Sequence, residues 1–339
     1  MASHVRHGFA SIPRRLASAF LPALAAGVLG CGEDVAAPTV PESSATAGAA
    51  AVTGALTFRQ VTTGNNHTCG VTRDDRAYCW GLNNRGQLGD GTFAPHARPA
   101  AVAGALRFQH VSAGVDYNCG LATNGRIYCW GYNEFGQLGD GTRDLRMVPT
   151  ALATTRRFQE VRAGTVHTCA INLADAAYCW GFNATGALGD GTFETRAIPV
   201  RVVGTLAWTG LSAGPNHTCG VTTGHRAYCW GGNTNGYLGD GTRSGHPRPA
   251  PVAGGLLFRQ VEVDVGHSCG VTTGDRAYCW GDNVKGQLGD GTTTERLVPA
   301  PVAGERRFKT GQCGLVPHLR RDAGRAALLL GIQCRGAAR

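Results

Sequence analysis

Five tryptophans, Trp80, Trp130, Trp180, Trp230 and Trp280, stand fifty residues apart without slippage in this chain of 339 residues. Around each of them one stretch recurs, in its first copy Tyr78-Cys79-Trp80-Gly81-x-Asn83-x-x-Gly86-Gln87-Leu88-Gly89-Asp90-Gly91-Thr92. A spacing so constant marks one supersecondary unit repeated in space, each copy packed on its neighbours, so the fold is argued per repeat. The repeat array spans residues 54–304.

Within a repeat the local signals are those of short strands. In the second copy Arg107-Phe-Gln-His-Val-Ser-Ala113 alternates and ends at Gly114. Two further runs, Asn118–Ala122 and Ile127–Trp130, flank Asn124-Gly125, a strong hairpin signal. Elsewhere this turn is Asp74-Asp75, Gly224-His225 or Gly274-Asp275, all turn-compatible. A last strand is expected around Pro99-Ala-Ala-Val102, ending at Gly104. Four short strands in fifty residues predict an all-β propeller of four-stranded blades, with five full repeats and the start of a sixth. The tryptophans and the Val/Leu positions are expected to pack between blades. Asp90, Asp140, Asp190, Asp240 and Asp290, each in a Gly-Asp-Gly-Thr turn, are expected to cap turn backbone rather than hold a cation.

The net charge of +9 suggests nucleic acid only until it is partitioned. The array carries 21 basic and 18 acidic residues, and the excess lies in residues 1–31 and 305–339. A nearly neutral array excludes a basic-patch argument, and no nucleic-acid partner is expected.

The first 31 residues read as an address. Arg6, Arg14 and Arg15 precede an apolar run from Leu16 to Gly30, too short to span a bilayer comfortably, that ends at Cys31. This is the pattern of a bacterial export signal. Val28-Leu29-Gly30-Cys31 resembles a lipobox, which implies cleavage and lipid attachment at Cys31. Residues 32–53, small, polar and Pro-containing, read as a flexible tether. With Gly32 after the cysteine, the expected destination is the outer membrane or cell surface, with secretion as the alternative.

The full pattern, Val-x-Ala-Gly-x-x-His-Thr-Cys-Gly-Val-Thr followed by Arg-Ala-Tyr-Cys-Trp-Gly-x-Asn-x-x-Gly-Gln-Leu-Gly-Asp-Gly-Thr, resembles the regulator-of-chromosome-condensation repeat over residues 58–302. The resemblance implies a β-propeller, commonly of seven blades. Eukaryotic relatives include exchange factors for a small nuclear GTPase that bind chromatin; bacterial ones include secreted and surface proteins, among them a β-lactamase inhibitor. No contact loop of either group can be carried over, so the resemblance implies fold and not function.

Ten of thirteen cysteines form pairs ten residues apart: Cys69 and Cys79, Cys119 and Cys129, Cys169 and Cys179, Cys219 and Cys229, Cys269 and Cys279. Each pair flanks the hairpin turn at nearly the same height on adjacent antiparallel strands, within disulfide reach. One disulfide per blade suits an exported protein. Free buried thiols and a metal site are the alternatives, although the short C-x-x-C spacing of zinc sites is missing. His67, His167, His217 and His267 stand two residues before the first cysteine, with Tyr117 in their place in the second repeat. Because Tyr substitutes once, they are expected to satisfy backbone groups inside each blade rather than bind a metal. No nucleophile–base pair, paired carboxylates or phosphate loop is found, and neither catalysis nor a cofactor is expected.

Contact residues are sought where copies differ inside the fixed frame. The signature's two gaps hold Leu82, Tyr132, Phe182, Gly232 and Asp282, then Arg85, Glu134, Phe135, Asn235 and Lys285 among others. They occupy one loop per blade and are expected on one face. There Tyr132, Phe135 and Phe182 would form an aromatic cluster suited to a protein or glycan partner.

After Phe308-Lys309-Thr310 the repeat breaks off. Back-translating residues 311–336 with synonymous codons and reading one nucleotide out of frame yields VSAGSSHTCGVTRDGPPYCWGSNAAG, the next repeat nearly complete. The tail is expected to be a frameshift product. The sequence thus predicts an exported, lipid-anchored, non-catalytic binding or scaffold propeller at the cell surface. The alternatives are a secreted inhibitor of an extracellular enzyme and an enzyme with its site on the loop face or in the central channel.

Overall fold

The chain divides into two units, Met1–Gly48 and Ala49–Arg339. The computed structural model describes residues 56–304 and Arg307 of the second unit, with the backbone of two two-residue strands, Cys313–Gly314 and Gln333–Cys334, that pair antiparallel. The export segment with Cys31, the tether 32–53 and the rest of the tail lie outside the described residues.

Each repeat folds as an antiparallel meander. The first blade consists of β1 (Phe58–Thr63), β2 (His67–Thr72), β3 (Ala77–Gly81) and β4 (His96–Ala101), hydrogen-bonded in that order. Four further four-stranded sheets repeat it, to the strand Arg296–Pro301. The described residues therefore form an all-β propeller array of five blades. The β2–β3 turn works because one residue takes a left-handed conformation: Asp75, Asp175, His225 and Asp275 have φ of 66, 57, 60 and 65°, and Gly125 stands in the second blade at 76°. β4 begins earlier than Pro99, because Gly81 pairs with His96 across a bulge. Val102 falls just beyond the strand, where its N–H donates to the Ala77 carbonyl at 3.0 Å.

Both sheet edges are occupied or blunted. Pro99, Pro149, Pro199, Pro249 and Pro299 sit in the outermost strands, where a missing N–H discourages pairing with another chain. At the inner edge, side chains of one blade take the free backbone groups of the next. The Gln60 amide donates to the Val111 carbonyl at 2.6 Å and accepts the Val111 N–H at 3.0 Å. Ser112 Oγ accepts from Ala163 N–H at 2.9 Å, and Ser212 Oγ from Val263 N–H at 3.0 Å.

The core lies between blades. Cys69, Val71, Ala77, Cys79, Leu88 and Val102 of the first blade receive Phe108, Val111 and Trp130 of the second. The same joint recurs between the later blades. Burying an aromatic ring of this size contributes about 2–3 kcal/mol before cavity effects, so the tryptophan spacing is a packing requirement. Trp130, Trp180, Trp230 and Trp280 are fully buried, and each indole N–H donates to a backbone carbonyl of the preceding blade, at Gln87, Gln137, Ala187 and Tyr237. Five disulfides join the ten paired cysteines, with Cα atoms 4.1 Å apart in each. The members of each pair face each other in register, as Cys69 and Cys79 do.

The histidines correct the sequence expectation. Rather than satisfying backbone inside its own blade, His67 donates from Nε2 to the Asn118 side-chain carbonyl of the next blade at 3.0 Å. His167 and His217 reach the hydroxyls of Thr218 and Ser268 at 2.8 and 2.9 Å. Those residues in turn donate back, Asn118 to the Gln87 carbonyl at 2.6 Å, Thr218 to Ala187 and Ser268 to Tyr237 at 2.9 Å each. Tyr117 serves the same seam by donating to the His167 carbonyl at 2.7 Å. A hydroxyl long enough to cross the seam explains the substitution.

Candidate loop-face site

Two connections meet at the same end of every blade, between the first and second strands and between the third and fourth. They are tied by backbone bonds: Leu82 N–H donates to the Asn66 carbonyl, Tyr132 to Asp116, Phe182 to Val166, Gly232 to Asn216 and Asp282 to Gly266, at 2.8 to 3.0 Å. The longer loop is built on a buried asparagine. Asn83 donates to Asp90 Oδ1 at 3.2 Å and to the Thr92 and Ala94 carbonyls at 3.0 Å, while its Oδ1 accepts Leu88 N–H at 2.9 Å. An amide satisfied on both ends cannot be replaced by an apolar group without orphaning backbone.

The aspartates cap the turn, as the Thr92 N–H to Asp90 bond at 2.9 Å shows. They also pair with a basic side chain that was not anticipated: Asp90 with His96 at 2.7 Å, Asp140 with Arg146 at 2.7 Å, Asp290 with Arg296 at 2.7 Å. Partial burial pushes these carboxyls up, but bonds from the turn threonine and the paired side chain, with the asparagine at Asp90 and Asp290, outweigh it. All are held below the usual range, Asp290 at about 2. Position 96 and its equivalents vary between His and Arg, and that restriction to basic side chains was the available signal.

On this frame Tyr132, Phe135 and Phe182 come into ring contact. The Tyr132 and Phe135 centroids lie 6.3 Å apart and those of Phe135 and Phe182 5.1 Å apart, both edge-to-face. The Arg85 guanidinium stands over the Tyr132 ring at 5.3 Å. The Tyr132 hydroxyl donates to the exposed Glu134 carboxylate, and this bond, with partial burial, raises its pKa. The three rings are half-buried and span two blades, and Arg85 extends the row to a third. Leu82, Asn235, Asp282 and Lys285 lie on the equivalent loops. Asp282 accepts the Val284 N–H at 3.1 Å.

One residue of this end escaped the sequence. Tyr237 replaces the signature glutamine and lays its ring against His217, centroids 4.5 Å apart. Its visible sign was that the signature position, glutamine at 87, 137 and 287, is Ala187 and Tyr237 in the other two copies. The central channel expected of a propeller is an axial depression of about 180 Å³ lined by the inner loops of all five blades, walled by Gly64, Gly114, Gly164, Gly214 and Asp264 with their neighbours. Among the described residues no group of three or more His, Cys, Asp and Glu side chains is placed to hold a metal ion.

A repeated four-stranded blade, a seam of tryptophans and an axial depression define a β-propeller with its variable loops on one face. The chain belongs to the RCC1-like domain family, whose profile matches residues 25–316. No curated protein sequence matches it. Among solved structures it is similar to human WBSCR16, at 20% identity and a TM-score of 0.65, over 73% of this chain and 67% of that one. It is equally similar in fold to Prp20p of Saccharomyces cerevisiae, at 19% identity and 0.65, over 73% of this chain and 64% of that one. The same yeast protein bound to Kap60 gives the same score over 61% of its length. The chain thus spans about two thirds of the length of these structures, and the likeness is one of fold.

Proposed function

We propose that this protein is an exported, lipid-anchored propeller that binds a protein or glycan partner through its loop face and performs no chemistry of its own. The observation that carries the binding reading is the row Arg85, Tyr132, Phe135 and Phe182: edge-to-face rings, half-exposed, held on a hydrogen-bonded frame. Preassembled aromatics with an arginine at their edge lose little rotamer freedom on binding and are the residues most enriched at interface hot spots. Protein partners of propellers of this fold support the protein arm, since yeast Prp20p is described in complex with Kap60 and as binding Gsp1p and histones. The export reading rests on Arg6, Arg14, Arg15, the apolar run to Gly30 and Cys31.

Capture of a partner from cell-surface extracts tests the site. Changing Tyr132, Phe135 and Phe182 together to alanine is expected to abolish capture and leave the blades folded. Capture undiminished by the triple change would place the contact elsewhere. Labelling with radioactive palmitate tests the anchor, and Cys31→Ser is expected to abolish incorporation.

A further inference from the structure

The connections of a meandering blade alternate between its two ends, and the charges of this chain follow that alternation. Opposite the loop face lie the turns between second and third strands (73–76, 123–126, 173–176, 223–226 and 273–276) and the entries into the first strands (57–59, 105–109, 155–159, 205–209 and 255–259). Backbone bonds tie them together, as Phe108 N–H does by donating to the Asp75 carbonyl at 2.8 Å. These segments carry ten arginines against four aspartates. On the loop face, residues 64–66 and 82–96 with their equivalents carry seven arginines and lysines against twelve aspartates and glutamates. The near-neutral balance of the array is thus a sum over two faces of opposite sign, and it does not exclude a basic patch on one of them. Ion pairs engage three of the ten arginines, Arg59 with Asp75, Arg76 with Asp74 and Arg259 with Asp275. The fourth aspartate, Asp175, accepts the Gln159 amide at 2.7 Å. Of the other seven, Arg126 of the second blade and Arg156 at the entry to the third line one recess of about 10 Å³ beside Thr154, and the buried Nε of Arg126 has no hydrogen-bond partner. Two apolar side chains stand among the arginines, Leu173 at 66% exposed and Leu257 at 42%.

We propose that this arginine face docks on an anionic bilayer, its guanidiniums on lipid phosphates and Leu173 and Leu257 in the headgroup layer. The cations are spread over the turns of all five blades, which suits a broad charged surface rather than a single strand laid in a groove. The exposed leucines among them gain from an apolar layer that an aqueous polyanion does not offer. The recess between Arg126 and Arg156 has room for one phosphate oxygen, and a charge-assisted bond there would satisfy the Arg126 Nε. The chain also enters the first blade at this end, where the Thr57 carbonyl accepts Arg73 N–H at 3.2 Å, so an anchor at Cys31 favours this face toward the bilayer. In that respect the proposal rests on the lipid-anchored reading above. It turns the loop face, with Tyr132, Phe135 and Phe182, away from the bilayer, and the carboxylates of that face are repelled by the same surface.

Cosedimentation of the full chain carrying Cys31→Ser with sucrose-loaded vesicles tests the face without the lipid. Binding is expected to vesicles of phosphatidylglycerol and phosphatidylcholine in equal parts, and at least about tenfold less to phosphatidylcholine alone. It should weaken as salt is raised, because screening shortens the reach of the exposed arginines. Each cation near an anionic leaflet is worth about fivefold, so Arg126→Gln with Arg156→Gln should weaken binding about tenfold or more, with circular dichroism unchanged. If that double variant unfolds, Arg73→Gln with Arg107→Gln, both at exposed positions, takes its place. Arg143→Gln, on the loop face, should bind as the parent chain does. Equal binding to the two vesicle types, or undiminished binding by the double variant, overturns the proposal. So does binding of a DNA duplex or of inorganic phosphate without binding to vesicles, which would make the face a site for an aqueous anion. The anchor fails separately: a wild-type chain that takes up no palmitate while the Cys31→Ser chain binds anionic vesicles removes the lipid and keeps the face, and the converse result removes the face.

Discussion

At the scale of single residues, the seam histidines set an acid limit on the fold. Burial disfavours the imidazolium, holding His167 at about 4 and His217 at about 3, with the neighbouring histidines adding to the effect at His217. A histidine whose folded pKa lies below its unfolded value of about 6.5 binds more protons when unfolded, so stability falls as pH falls. Each such site costs up to about 1.4 kcal/mol per pH unit between about 6.5 and its folded pKa. The loop aspartates act in a different window: their pKa values are depressed, so their contribution is present above about 4 and is lost only as pH falls further. Melting temperature is therefore expected to decline from pH 6.5 to 4 through the histidines, and more steeply below 4. His217→Gln should flatten the decline from pH 6.5 down to about 3 and leave the aspartate-driven loss below that. A decline as steep in the variant as in wild type would remove His217 from the account.

At the scale of the element, each blade is a hairpin closed by a disulfide whose loop is about eleven residues long. On the chain-entropy model such a closure contributes about 2.7 kcal/mol. Replacing Cys169 and Cys179 together with serine removes one of the five bridges and should lower the melting temperature by several degrees, and reducing all five should lower it several times further. The Asn83 frame is the second lever. Asn83→Ala removes donors to three acceptors and orphans the buried Leu88 N–H, and a loss of about 2–4 kcal/mol is expected by denaturant unfolding.

This is also the scale at which sequence was most legible. The Trp spacing, the Asn124-Gly125 turn and the paired cysteines each act within one blade, where chain neighbours are spatial neighbours. Contacts fifty residues away were less so. That Trp80-type positions pack between blades could be anticipated from their size. That His67 reaches Asn118 could not, because a polar bridge depends on the distance between sheets rather than on any local pattern. The aromatic row was readable because it lies in gaps of a fixed motif. The Arg85 contact with Tyr132 joins two blades and was visible only in the structure.

At the scale of the whole array, stability should follow the number of joints a blade makes, because repeats contribute nearest-neighbour terms. The middle blades make two joints each. Among the described residues the first blade makes one, and Val61 on its other side is half in water while Val161 is sealed. Local opening is cheapest where the fewest apolar contacts must break, so hydrogen exchange should be graded along the chain. Amides of Phe58–Thr63 are expected to exchange well before those of Phe158–Ala163, although both strands have the same register with their neighbours. Uniform protection across the blades in dilute solution would show instead that the array opens as one unit and that the joints are not its unit of stability.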